Sequence, residues 1–205
     1  MKILKVNSQR PEKKIIDTAV KILKAGGVVV YPTETSYGIG CDATQKKAVA
    51  RIFKIKKRSP QKSVTIIVSS FRMARNYIVF DKLSWALAKK YWPGPLTIVL
   101  PKNKKKIYTD LTGKNWDFGV RISPQAIALA IVKKLSKPLI STSANISGKS
   151  PTYRISEILK QFKNKKYQPD LILDAGKLPK KLTSTVILVE DGKIKILRKG
   201  PIKIK

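Results

Sequence analysis

Short apolar runs that stop abruptly, set between helically striped segments, leave this chain few folds to choose from. Val28 to Tyr31 is continuous apolar sequence closed by Pro32. It is too short for a helix and reads as a strand buried on both faces. Val64 to Val68, Leu96 to Leu100, Phe118 to Ile122, Lys137 to Ile140 and Leu171 to Leu173 read as strands too, and Ile3 to Val6 as a short opening one. Between them, Ile15, Ile16, Ala19, Val20 and Leu23 recur at helical spacing. Pro11 suits the first position of that helix and Gly26-Gly27 its stop. A second stripe, Ile127, Ala128, Ile131, Val132 and Leu135, follows Ser123-Pro124. Further helices are expected from about Gln45 up to Pro60, twice before Lys90, and near Ser156 to Phe162. Ser184 to Val189, Asp191-Gly192 and Lys193 to Leu197 form a strand-turn-strand signal. Strands alternating with helices predict a single α/β domain over residues 1–205, and the late hairpin predicts that its sheet is mixed.

The connections carry the polar chemistry. Thr33 to Ala43 is rich in hydroxyls, holds two glycines and reads as a loop leaving a strand end. Ser141 to Gly148 is a second hydroxyl-rich loop, and each follows a buried strand. In open α/β sheets, ligands sit in crevices outside strand ends. Tyr91 to Pro95 is a rigid turn, and Lys102 to Asn115, with five lysines, reads as an exposed loop.

Positive charge narrows the ligand. Lys54 to Lys62 holds five cations within nine residues, Lys54, Lys56, Lys57, Arg58 and Lys62. One or two suit the negative end of a helix dipole. Five ask for an anion from outside the chain or a solvated basic face. The whole chain carries 44 basic and 12 acidic residues, net +32. Such a charge points to a polyanionic partner such as a polyphosphate or a nucleic acid, or else to a salty or lysine-rich cellular background.

Other classes drop out. With no histidine, the chain has no histidine base, no Ser-His-Asp triad and no histidine zinc site. One cysteine, Cys41, forms no internal disulfide and reads as a buried small residue. No apolar run reaches membrane-spanning length and the start lacks a signal-peptide core, so a soluble cytoplasmic protein is the expectation. Acids are sparse: Glu34, Asp42, Asp117 and Asp174 are the candidates. Without an obvious activated nucleophile, chemistry by positioning and charge neutralisation fits better than covalent catalysis. Arg121 reads either as a structural ion-pair partner or as a fork for carboxylate or phosphate. Ser184 reads either as a local cap or as a ligand contact, and Tyr37 and Trp92 as core or rim aromatics.

Taken in order, these pieces resemble one family. Tyr31 to Ala43 (YPTETSYGIGCDA) is similar to the opening motif of the YrdC-like threonylcarbamoyl-AMP synthases. Lys56-Lys57-Arg58 resembles the family's Lys-x-Arg, and Ser143-Ala144-Asn145 its Ser-x-Asn. Tyr91 to Thr97, Gly119 to Ile122, Ser184 to Val186 and Ile196 to Arg198 with Gly200 match further signatures in the right order, over roughly residues 10 to 200. The resemblance implies a YrdC-like (DHBP-synthase-like) fold with a concave basic face. It implies a nucleotidyltransferase in which threonine and bicarbonate give a carbamate, whose oxygen attacks the α-phosphate of ATP and expels pyrophosphate. The adenylate feeds t6A formation at position 37 of tRNA, so contact with tRNA or double-stranded RNA and hand-over to a t6A-transferase complex are implied, with Mg2+ accompanying the nucleotide. By the family pattern Lys56 and Arg58 are catalytic. Arg58, Lys62, Ser143, Asn145 and Arg198 face ATP, and Thr35, Arg121, Ser141 and Ser184 hold threonine. Pro151 and Asp117 occupy places near the nucleotide in relatives.

The chain departs from the pattern in places. Ser63-Val64 replaces the usual Pro-Leu, and Ile67 stands where some relatives carry a polar substrate contact. Longer relatives add a linker and a second domain over the active site, so closure by another route or by partner proteins is expected. The competing reading is a non-catalytic double-stranded RNA or tRNA binder. Such a module has no use for a threonine-sized hydroxyl pocket with an arginine in it. A carbamoyl-phosphate enzyme would be much longer, and a sugar-phosphate enzyme would want more acids.

Overall fold

Each buried run lands in one sheet. The computed structural model describes residues 1–59, 64–101 and 117–204. Lys62 and the Lys102 to Asn115 stretch lie outside the described residues, as does the side chain of Asp117. In chain order the elements are β1 (Lys2–Lys5), α1 (Lys13–Lys24), β2 (Val29–Pro32), β3 (Tyr37–Gly40) and α2 (Lys46–Lys56). Then come β4 (Thr65–Ile67), α3 (Phe71–Arg75), α4 (Lys82–Tyr91), β5 (Leu96–Pro101) and β6 (Asp117–Arg121). Last are α5 (Ala126–Leu135), β7 (Leu139–Ser143), α6 (Ile155–Phe162), β8 (Leu171–Asp174), β9 (Thr185–Glu190) and β10 (Lys193–Arg198). Among the described residues the strands form a ten-stranded sheet in the order β1-β8-β2-β3-β7-β4-β6-β5-β9-β10. It is mixed: β4 and β6 are parallel, for example, while β7 runs antiparallel to both β3 and β4.

Helices cover both faces around β2 and β8, which is why those strand runs are apolar. Val28, Val30 and Ile172 point into a core with Val49, Ile52 and Phe53 of α2 and Ile158 and Phe162 of α6. Their neighbours Val29, Tyr31, Leu171 and Leu173 point the other way, onto Ile16, Val20 and Leu23 of α1 and Ile127, Ile131 and Val132 of α5. The period of two along a strand sorts one continuous apolar run between two cores.

Four local details differ from expectation, each for a stated reason. Tyr37 to Gly40 is a strand and not part of a loop, because Gly38 and Gly40 let β3 lie close against its neighbours. A Cβ on Gly40 would sit 2.1 Å from the Ile140 carbonyl oxygen. Pro11 precedes α1 instead of opening it, and Glu12 takes the cap position. Helix α2 ends at Lys56, before Pro60 is reached. Lys57 adopts left-handed φ 50°, with Lys57 N–H donating to Lys54 O at 3.2 Å and Arg58 N–H to Phe53 O at 3.0 Å. That is a Schellman closure with a lysine where glycine is usual. Finally, β7 extends through Ser141 to Ser143, so the first part of the second hydroxyl segment is strand.

Two features fix the wall made by the late hairpin. Asp191 and Gly192 both have positive φ, 50° and 68°, the two-residue turn that matches strand twist. The β9/β10 register shifts between Ile196 and Arg198, a bulge that re-aims Arg198. The Tyr91 to Pro95 turn holds the other side. Buried Trp92 donates Nε1–H to Leu96 O at 2.8 Å, and Pro95 O accepts from Thr185 N at 2.9 Å.

Candidate active site

Strand alternation carries one sheet face out of the core and into a cleft. On β7, Leu139 packs in the α1/α5 core, whereas Ser141 and Ser143, two and four residues on, line the cleft. On β4, Ile67 lies in that same core and Thr65 lines the cleft. Ile67, the residue that departs from the family pattern, is therefore core and not a ligand contact. Cross-strand pairing sets the hydroxyls side by side, with Ser141 opposite Thr65 and Thr65 opposite Gly119. Gly119 has to be small here. A Cβ would lie 2.6 Å from Thr97 Cγ2 and 3.0 Å from Thr65 Oγ1. Thr97 and Ser184 hydroxyls then meet at 3.0 Å. The cleft has a volume of about 390 Å³, in the range of small-molecule sites.

Three arginines from distant segments enter this cleft. Arg58 follows the α2 cap, Arg121 ends β6 and Arg198 ends β10, and all three line it. Arg198 donates Nε–H to Ser184 O at 2.9 Å and Nη2–H to Ser184 Oγ at 2.8 Å. Arg121 Nη1 donates to Glu34 Oε1. Burial lowers the pKa of Arg58, and burial followed by the nearby charge of Arg121 lowers that of Arg198. A guanidinium stays charged regardless, so both remain cations in partly desolvated positions, where an anion is weakly screened.

The hydroxyl loop beside Arg121 is pre-folded. Thr33 Oγ1 donates to Ser36 O at 2.7 Å and meets Thr35 Oγ1 at 3.1 Å. Asn145 is braced through its amide, with Nδ2 donating to Ile146 O at 3.1 Å and to Lys149 O. Tyr37 anchors the strand between these loops: its hydroxyl donates to Gly176 O at 2.7 Å and accepts from Ala175 N at 3.0 Å.

Lys56 behaves differently from Arg58, two residues away. Its side chain is 1% exposed, and Nζ donates to Ser143 O, to Asn145 O at 2.7 Å and toward Asn145 Oδ1 at 3.4 Å. Burial first, and then the charge of Arg58, drop its pKa to about 7. The consequence for stability has a definite sign. Below that pH the folded chain carries a buried ammonium. Above it the folded chain has released the proton while the unfolded chain still holds it. Stability is thus expected to rise from pH 7 toward 10, by up to about 1 kcal/mol per pH unit from this group. Urea unfolding across that range should show a steeper rise than in Lys56→Met, and parallel profiles would remove Lys56 as the cause.

Thr35, Arg58, Arg121, Ser141, Ser143, Asn145, Ser184 and Arg198 thus line one cleft. Pro151 lines it too. Lys56 sits behind it as a pin, and Lys62 lies outside the described residues. Arg121 is both an ion-pair partner and a cleft residue; Ser184 is both a local brace and a cleft residue. Sequence reasoning missed Thr65 and Thr97, whose only signal is a hydroxyl inside an apolar strand, and Lys149. Trp92 and Cys41 are buried, as read.

Comparison with known proteins places this geometry among relatives. The Sua5_yciO_yrdC family model, described as telomere recombination, matches residues 21–200. A Methanocaldococcus jannaschii protein with the provisional name threonylcarbamoyl-AMP synthase is 35% identical, over 100% of this chain and 94% of its own length. The crystal structure of P. abyssi Sua5 complexed with L-threonine superposes with TM-score 0.90 at 32% identity, covering 98% of this chain. This chain spans 58% of that one. The crystal structure of E. coli YciO superposes with TM-score 0.89 at 28% identity, covering 100% of this chain and 98% of its own.

Proposed function

The chain belongs to the Sua5/YciO/YrdC family, and within it we propose that this protein is an L-threonylcarbamoyladenylate synthase, a nucleotidyltransferase supplying tRNA t6A formation. The observation that carries the reading is the convergence of Arg58, Arg121 and Arg198 on a single hydroxyl-lined cleft. A solvated basic face would spread those cations over the surface. The Sua5 relative bound to L-threonine adds support for threonine as the amino acid.

The chemistry divides along the cleft. Threonine docks with its carboxylate on Arg121, and Thr35, Ser141 and Ser184 offer hydroxyls to its polar groups. Its amine and bicarbonate give the carbamate with loss of water. ATP lies alongside, with its phosphates on Arg58 and Arg198 and its remaining polar groups on the braced Ser143 to Asn145 segment; Lys62 is added to the phosphate set by the family pattern alone. The carbamate oxygen forms a bond to the α-phosphorus as the bond to pyrophosphate breaks. In-line displacement of this kind needs alignment and charge neutralisation more than acid-base help. That matches a cleft of guanidinium and hydroxyl groups without histidine. Lys56 contributes by holding the Ser143 and Asn145 carbonyls, and so the wall they form, rather than by touching phosphate.

Mg2+ fits this donor set only as a companion of the nucleotide. Among the described residues no group of three or more acids and cysteines is placed to hold a metal. Magnesium characteristically keeps water and substrate phosphate in its shell. Serine and threonine hydroxyls of the cleft are the protein oxygens it would meet, and the charge it supplies adds to that of the arginines. The net charge of +32 supports contact with tRNA or double-stranded RNA as a further part of this reading, along with passage of the adenylate to a t6A-transferase complex. No helix among the described residues is long and apolar enough to cross a membrane.

The test is direct. Given ATP, bicarbonate and Mg2+, the protein is expected to release pyrophosphate and form an adenylate only when threonine is present. Pyrophosphate release indifferent to threonine would refute the assignment.

A further inference from the structure

The cations of this cleft are of two kinds. Arg58, Lys149 and Arg198 line it as cations. Arg121 lines it as well, but in a pair: Nη1 donates to one oxygen of Glu34, and the other oxygen accepts from Ser123 Oγ at 2.5 Å. The pair is enclosed, with side-chain exposures of 7% and 15%. Glu34 is not among the residues lining the cleft, so it acts on a ligand through Arg121. Arg121 Nε is buried and has no hydrogen-bond partner among the described residues. Nε is thus shut off from a ligand, which meets Arg121 through the part of its side chain that lines the cleft.

We propose that Glu34 is a specificity-determining positioning residue, which fixes and neutralises Arg121 so that this corner accepts a zwitterionic amino acid and refuses a phosphate group. The proposal rests on the reading that threonine docks at Arg121. A bare buried guanidinium takes carboxylate and phosphate alike, since its fork matches both. Pairing with Glu34 offsets the charge of Arg121 while keeping its donors aimed. A phosphate group, with more than one negative charge, then meets a fixed carboxylate at short range in surroundings that screen poorly. A zwitterion brings one carboxylate to the guanidinium and an ammonium that the acid attracts. Net charge cannot supply this discrimination in a chain carrying +32; a local anion can. In a cleft that must hold an amino acid beside a triphosphate, Glu34 keeps phosphate and released pyrophosphate from the amino-acid corner.

The experiment is threonine binding by calorimetry, with and without a large excess of inorganic phosphate, for the wild-type chain, Glu34→Gln and Glu34→Asp. Phosphate should leave the wild-type threonine affinity unchanged. Glu34→Gln should weaken threonine by about tenfold or more and make its binding competitive with phosphate. Glu34→Asp keeps the charge but loses reach, so it should weaken threonine while still excluding phosphate. Threonine binding in Glu34→Gln that ignores phosphate would overturn the proposal. So would equal behaviour of the two variants, which would make Glu34 a mere brace. If Glu34→Gln does not fold, phosphate competition in Glu34→Asp would overturn it alone. A wild-type protein that binds no threonine at all is a separate outcome: it removes the threonine reading, and this proposal with it.

Discussion

Alanine at position 58 is expected to cut pyrophosphate release by about a hundredfold or more while the protein stays folded. Arg58 lines the cleft just beyond the α2 cap, and the cap itself is made by backbone groups that the substitution leaves in place. What is lost is a guanidinium aimed at charge that builds up on the phosphates during displacement. A fixed cation in a sheltered site needs no reorganisation as that charge develops, which is why its removal acts on the rate rather than on folding. Steady-state assays at saturating threonine should show the fall in kcat, and thermal unfolding should show little change. Turnover close to wild type would mean that the triphosphate is held elsewhere, and the convergence of arginines would lose its explanation.

The second large effect lies in the fold. Gly40→Ala is expected to destabilise the protein by about 3 kcal/mol. Its new methyl would meet the Ile140 carbonyl oxygen at 2.1 Å, Tyr31 Cε1 at 3.0 Å and Leu139 Cγ at 3.2 Å. The first contact is backbone, so relief requires β3 and β7 to separate. Those two strands carry the Thr33 to Ser36 loop and the Ser141 to Asn145 segment, both of which line the cleft. Urea unfolding should show the loss of stability, and substrate binding should weaken with it. A stability unchanged from wild type would show that the strands part more easily than their packing implies.

The central strands and most helices were legible because burial on both faces leaves few polar residues to confuse the pattern. Val28 to Tyr31 and Leu171 to Leu173 are clear cases. Strand β3 was not legible, since its two glycines look like a turn until the backbone of β7 is placed against them. The site was legible as motifs but not as roles. Lys56 and Arg58 sit in one basic cluster in the sequence, yet a left-handed lysine between them sends one amine into the interior and one guanidinium into the cleft. Thr65 and Thr97 were hidden inside apolar runs. The Glu34–Arg121 pair spans 87 positions, so no local signal announces it.

The bulge before Arg198 has a consequence for biosynthesis. A ribosome must deliver the chain as far as this arginine before the hairpin can close and set it on Ser184. A nascent chain that has folded everything up to β8 already possesses Thr35, Arg58, Arg121 and Ser141, and still lacks one wall of its reaction vessel. Activity therefore waits for that hairpin, and copies halted before it have little means to squander ATP.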